Sequence, residues 1–297
     1  MVLGAKCMKK FMATLIITAI TMTTLAGCGS NNNERDNMGT AGVRGLISVV
    51  SREDGSGTRG AFVELFGVEE KDEEGNRKDR TTLEAIVVNS TEIVMSNVAG
   101  NPNAIGYISM GALNDRVKAV KINEAEASIE NVRNGTYEIF RPFNIVMAEK
   151  VNEVTQDFIR YIFSTQGQAV IEQKGYISVE EYAEDFVSSQ PAGKIVIAGS
   201  SSIAPVMEVL MEAYEEQNPN VEMELQTSDS TTGIQSVMDK TVDIGMASRS
   251  LKESETSLSV KAIALDGIAV IVNRENKIEN MTPEEVKAIF TGEVTIW

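Results

Sequence analysis

Apolar residues recur along the chain in two alternating rhythms, short unbroken runs and longer stretches at helical spacing. Leu46–Val50 is a short apolar run, followed by Ser51-Arg52-Glu53-Asp54-Gly55-Ser56-Gly57-Thr58 and then by Phe62, Leu65 and Phe66 at helical spacing. Lys194–Ala198 is a second run, followed by Gly199-Ser200-Ser201-Ser202 and by Val206, Val209, Leu210, Ala213 and Tyr214 on one helix face, with Pro205 in the first turn. Val221–Gln226 is a third, followed by Thr227-Ser228-Asp229-Ser230-Thr231-Thr232-Gly233 and by Ile234, Val237 and Met238. Strands alternating with helices predict an α/β fold.

The first thirty residues follow a different pattern. Lys9 and Lys10 precede an apolar run from Phe11 to Leu25, which is about as long as a signal-peptide core and short for a membrane span. It ends in Leu25-Ala26-Gly27-Cys28, which resembles the lipobox of bacterial lipoproteins. That resemblance implies a signal peptide over residues 1–27 and a lipid on Cys28; an uncleaved anchor is the alternative, and Met8 is an alternative start. Residues 29–45, GSNNNERDNMGTAGVRG, are polar and read as a flexible tether.

The 297 residues suffice for two domains, and 42% hydrophobic with 24% charged residues is ordinary for a folded soluble protein. Histidine is absent and the only cysteines are Cys7 and Cys28, which excludes the usual zinc sites and Ser-His-Asp or Cys-His catalysis. The net charge is −16, and loss of Lys6, Lys9 and Lys10 with the leader gives −16 − 3 = −19, so nucleic acid is not an expected partner. Neither a G-x-x-x-x-G-K-[ST] loop nor a G-x-S-x-G elbow occurs. Residues 69–74 read as a charge-rich loop without a role.

The three Ser/Thr/Gly-rich junctions suit anion capture. A helix start leaves backbone N–H groups unpaired and carries partial positive charge. Hydroxyls add rotatable donors that also accept, and glycine lets a ligand come close to the backbone. Any one junction taken alone is more often an ordinary N-cap or turn; three of them with Arg52 argue for a site.

Ser51–Arg59 resembles the phosphate-contacting loop of the periplasmic phosphate-binding proteins of high-affinity phosphate importers. Ala198–Pro205 is similar to that family's first helix start, Ser228–Gly233 to its second, and Val242–Arg249 to the strand and turn that follow. Asp266–Asn273 and Ile289–Glu293 are further family-like stretches, so the likeness spans about residues 46 to 297. It implies phosphate contacts from Ser201, Ser202, Ile203, Ser230, Ser248, Arg249, Arg52, Ser56, Gly57 and Thr58, with Arg52 held by Asp54. It also implies no cofactor and no metal, delivery to the permease of an ABC transporter, an extracytoplasmic lipid-anchored location and no enzymatic activity. Nothing in the sequence asks for more than a monomer.

The sequence departs from the family twice. Many members place an aspartate where Arg249 stands; Arg249 is either a second charged ligand or points away, and Asp229 is a substitute proton acceptor for phosphate. The parts are also reordered, as a circular permutation with new ends near Gly45 and Trp297 would give; two fused gene fragments are the alternative. The implied architecture is a two-lobe periplasmic-binding-protein (type 2) fold. One lobe would take residues 46–139 and 276–297, the other 140–275, with crossings near 140–146 and 270–277. Another oxyanion such as sulfate, molybdate or tungstate, a phosphate-sensing lipoprotein not coupled to transport, and a phosphatase are the competing readings.

Overall fold

A computed structural model describes residues 45–71, 77–180 and 183–297. The expected signal peptide, Cys28 and the tether up to residue 44 lie outside the described residues. Among the described residues no helix is long and apolar enough to cross a membrane.

The fold is built on β1 (Ser48–Arg52), α1 (Gly57–Leu65), β2 (Ile86–Val88), α2 (Thr91–Gly100), β3 (Ala104–Ser109), β4 (Phe140–Met147), α3 (Glu153–Ile162), α4 (Thr165–Gln173), β5 (Gly193–Ser200), α5 (Ala204–Glu215), β6 (Val221–Ser228), α6 (Ser230–Met238), β7 (Ile244–Ala247), β8 (Ser259–Val272) and α7 (Pro283–Phe290). The principal path through the sheet runs β6-β5-β7-β4-β8-β3-β1-β2. All three strand-to-helix junctions form where the apolar rhythm changes. Met238, on the expected apolar face, ends α6 with 40% of its surface exposed. Glu69–Lys71 pairs antiparallel with Arg77–Asp79, so part of the stretch read as a charged loop is a small strand pair.

Strand β8 joins two packed halves. Its residues Ser259–Gly267 pair with β4, and Ile268–Val272 pair with β3. One core gathers Phe143, Phe158, Tyr161, Ile195, Ile197, Leu210 and Tyr214 beneath β4–β7 and α3–α6. The other gathers Phe62, Phe66, Tyr107, Tyr137, Val270, Val272 and Phe290 around α1, β3 and α7. Ile268, Val270 and Val272, expected in the 140–275 lobe, therefore pack in the other one. The changeover falls between Gly267 and Ile268, earlier than the expected 270–277. Apolar residues lie on both sides of Asp266-Gly267 in β8, and they give no sign of where its partner changes, because a strand buried on both faces reads the same whichever strand lies beside it.

The two ends of the described chain meet. Leu46 bridges Ile296, the Ile47 N–H donates to the Thr295 carbonyl at 2.8 Å, and the Trp297 N–H donates to the Gly45 carbonyl at 3.2 Å. Ends in contact are what re-cutting a closed fold at a new point requires.

Candidate functional site

The three junctions converge at the carboxyl ends of β1, β5 and β6, the usual ligand position in open α/β sheets. Ser200 and Ser228 are register partners, so β5 and β6 release their helices at the same level. Gly199 leaves the sheet at φ 131°, in a region that favours glycine, and its Cα side faces the Met246 carbonyl too closely for any side chain.

On one side of the cleft stands the loop from Ser51 to Thr58. Tyr107, stacked on Phe62 with ring centroids 3.9 Å apart, anchors it from the core. Its hydroxyl lies 2.8 Å from Ser51 Oγ and accepts the Arg52 N–H at 3.1 Å. The Arg52 side chain is 2% exposed. Its Nε and NH2 donate to the two Glu53 carboxylate oxygens at 2.8 and 2.7 Å, and NH1 points at Thr91 Oγ1, 3.5 Å away. The expected holder, Asp54, is instead 94% exposed and pairs with Arg59 at 2.8 Å. Adjacent carboxylates at 53 and 54 are indistinguishable by spacing, and only the turn after β1 decides which faces inward. Ser56 caps α1 by accepting the Arg59 N–H at 3.3 Å.

Arg59 braces this loop by donating NH1 to the Arg52 carbonyl at 2.8 Å and Nε to Asp79 at 2.7 Å. Burial works to raise the Asp79 carboxyl, but hydrogen bonds from Thr81 and the Arg59 charge outweigh it and hold it below the usual carboxylate range. A depressed folded value contributes stability above the unfolded value of about 3.9 and loses it as pH falls through the folded one. Asp79→Asn should therefore lower the melting temperature by a constant amount well above the unfolded value of about 3.9 and converge on the parent as pH falls through the depressed folded value. Thermal melts across that range check it; a gap that widens toward acid would contradict the bracing role.

From the other lobe, Ser200 Oγ donates to Ser248 Oγ at 2.9 Å, and the Ser248 N–H donates to Ser230 Oγ at 3.0 Å. Ser202 Oγ crosses the cleft, 2.8 Å from Thr58 Oγ1 and 3.2 Å from Thr91 Oγ1. Ser201 Oγ is buried with no partner among the described residues. Gly57 faces Ser230 and Ser248 so closely that a Cβ there would lie 2.3 and 2.6 Å from their hydroxyl oxygens. Contacts between the lobes thus join Gly57 and Thr58 to Ser202, Ser230 and Ser248, Arg52 reaches the same group through Thr91, and Ser56 and Ser201 stand next to them in the chain.

Two of the expected contacts are engaged elsewhere. The Ile203 N–H donates to the Ser200 carbonyl at 3.0 Å, closing the turn before α5, and its side chain is fully buried. Both terminal nitrogens of Arg249 are held by Glu255, at 2.8 and 2.9 Å, and NH2 also reaches Thr231 Oγ1 at 3.2 Å. Asp229 is the N-cap of α6, accepting from the Thr232 N–H at 2.9 Å and the Thr232 hydroxyl at 2.7 Å, so each of its carboxylate oxygens is already engaged in capping.

Sequence reasoning missed Thr91, Arg141 and Asp266. Thr91 begins α2 behind the N-cap Ser90, so Asn89-Ser90-Thr91 is a fourth Ser/Thr-rich helix start that the same rule would have found. Arg141 and Asp266 form a buried pair at 3.1 Å behind the site, and Arg141 NH1 also donates to the Ser248 carbonyl at 3.3 Å. Burial pushes the Asp266 carboxyl up, opposed by Arg141 and by hydrogen bonds from Ser109 and the Gly111 N–H. No spacing signal links residues so far apart. The lining is thus rich in neutral donors, and each buried arginine beside it carries its own carboxylate. It can surround a small oxyanion without placing a free negative charge against it.

A PBP superfamily domain matches residues 19–166 and 187–297. The phosphate-binding protein PstS 2 of Streptococcus agalactiae is 49% identical over 276 residues, covering 92% of this chain and 92% of its own. The protein of the same name from Streptococcus pneumoniae is 42% identical over 290 residues, covering 97% and 98%. The crystal structure of a phosphate ABC transporter, phosphate-binding protein from Streptococcus pneumoniae overlays with a TM-score of 0.68 at 45% identity, covering 84% of this chain and 98% of that one. Matches that run in order over nine-tenths of both chains mean that these streptococcal relatives share the order of parts seen here. The chain belongs to the PBP superfamily and, within it, to the family of PstS phosphate-binding proteins.

Proposed function

We propose that this protein captures inorganic phosphate outside the cytoplasm and delivers it to the permease of an ABC importer, as a non-enzymatic monomer tethered through a lipid on Cys28. The observation that carries the ligand class is the buried, unpartnered Ser201 hydroxyl between Ser200 and Ser202, whose own hydroxyls meet Ser248, Thr58 and Thr91 at the other helix starts and turn. The names of relatives that match nearly the whole chain support the same reading. Phosphate would take hydrogen bonds from Ser201, Ser202, Ser230 and Ser248 on one lobe and from Arg52, Ser56, Gly57 and Thr58 on the other. Ile203 and Arg249 would support these contacts without touching the ligand. The contacts between chain ends, together with one continuous sheet, support a circular permutation over a chance fusion.

The magnitudes suffice. Hydrogen bonds to a charged group contribute about 1.5–3 kcal/mol each, and eight would exceed the roughly 8 kcal/mol of micromolar binding after desolvation and closure. A buried site is poorly screened, so affinity should depend weakly on salt despite the −16 net charge. Titration calorimetry of the purified protein, stripped of bound anion, against phosphate, sulfate and molybdate tests the reading. One-to-one phosphate binding with no heat from sulfate is expected. A folded protein that binds sulfate or molybdate and ignores phosphate would overturn it in favour of another oxyanion.

A further inference from the structure

Arg249 is nearly buried and lies where the two lobes meet. Glu255 holds NH1 and NH2 from one side at 2.8 and 2.9 Å, and NH1 also donates to the Ser250 carbonyl at 2.9 Å. Glu255 is itself fixed by the Lys252 N–H at 2.7 Å. NH2 reaches on to Thr231 Oγ1 at 3.2 Å. Thr231 makes the crossing: its N–H and its hydroxyl both donate to the Gly55 carbonyl of the opposite lobe, each at 3.2 Å. The arginine stem also faces that lobe, since a Cβ on Gly60 would lie 3.7 Å from Arg249 Cδ. Gly55 is packed against Asp229, with room for no side chain.

We infer that Arg249, clamped by Glu255, is a positioning residue for a closure latch in which Thr231 grips the Gly55 carbonyl across the cleft. This rests on the reading that the cleft captures its anion by closing. The chemistry explains the orientation. The Thr231 hydroxyl has one proton and two lone pairs. Arg249 NH2 donates to a lone pair and so directs the single hydroxyl proton at Gly55. The latch forms only in the closed state, so it adds to that state alone and slows reopening without touching the ligand. The loop that closes is the one that presents Ser56, Gly57 and Thr58, so the latch seals the ligand's own donors in place.

The test combines stopped-flow phosphate kinetics with small-angle scattering on the wild type, Thr231→Val, Thr231→Ser, Glu255→Gln and Arg249→Met, with melting curves to confirm folding. Thr231→Val should raise the phosphate dissociation rate about 3- to 10-fold, the range for one hydrogen bond, with association unchanged. It should also shift the ligand-free scattering toward a larger radius. Thr231→Ser keeps the hydroxyl and should restore both; Glu255→Gln should move both in the direction of Thr231→Val. Wild-type dissociation and scattering in Thr231→Val and Glu255→Gln would overturn the latch. So would Arg249→Met that closes normally and no longer binds phosphate, which would make Arg249 a ligand contact. If the wild type binds no phosphate, the functional reading fails while the ligand-free scattering still decides the latch.

Discussion

Arg52→Met should leave a folded protein whose phosphate affinity falls by about 30- to 5,000-fold, the equivalent of about 2–5 kcal/mol for truncating one member of a buried, hydrogen-bonded charge pair. The guanidinium is buried, two of its nitrogens are committed to Glu53, and the third points toward Thr91 and the cleft hydroxyls. Glu53 thus fixes the plane of the fork, leaving one donor edge for the ligand. Arg52→Lys should recover little, because a point-like ammonium cannot satisfy Glu53 twice and reach the cleft as well. Glu53 is part-exposed, so in the methionine variant it can turn to solvent and the fold should survive. Calorimetry on both variants, with a melt to confirm folding, checks this. Affinity within threefold of the wild type would remove Arg52 from the binding set.

What the sequence made legible follows from how local each signal is. The junctions at Ser56, Ser201 and Ser230 are local, since an apolar strand, a Ser/Gly cluster and an apolar helix face lie within about twenty residues of one another. Each formed near its expected boundaries. Thr91 is equally local and was passed over because β2 before it is three residues long and largely exposed. The partner of Arg52 was misassigned because Glu53 and Asp54 are neighbours of like charge, and the direction each takes depends on a turn anchored by Tyr107 from another strand. The pair Arg141–Asp266 and the role of Arg249 are non-local. The first depends on β4 and β8 lying side by side and the second on Thr231 of α6 meeting the loop after β1, neither of which periodicity encodes. The lobe boundary at Gly267–Ile268 was hidden for the same reason. Periodicity reports which face of an element is buried and not which neighbour buries it.

Gly57→Ala should weaken phosphate binding by at least roughly 10- to 100-fold while leaving the ligand-free protein as stable as the parent or slightly more so. The two effects have different origins. Gly57 is the first residue of α1, and alanine is the better helix former there; replacing glycine at a compatible position contributes about 0.4–1 kcal/mol. In the closed protein, however, the new Cβ would lie 2.3 Å from Ser230 Oγ, 2.6 Å from Ser248 Oγ and 2.9 Å from the Ser248 carbonyl carbon. A hydroxyl can rotate away, but the backbone at Ser248 is pinned by the Ser248 N–H bond to Ser230 and by Arg141 on its carbonyl. The clash is therefore relieved by the lobes standing apart, which separates the donors of Thr58 and Ser202 that must act together. Overpacking of this kind costs about 1–3 kcal/mol or more, charged entirely to the closed state, so affinity should fall by at least roughly 10- to 100-fold. Calorimetry paired with thermal melts of the ligand-free protein separates the two effects. A variant that melts at or above the parent temperature and binds phosphate with unchanged affinity would show that the anion is held without the approach of Gly57 to Ser230 and Ser248. The ligand would then have to be held by one lobe alone.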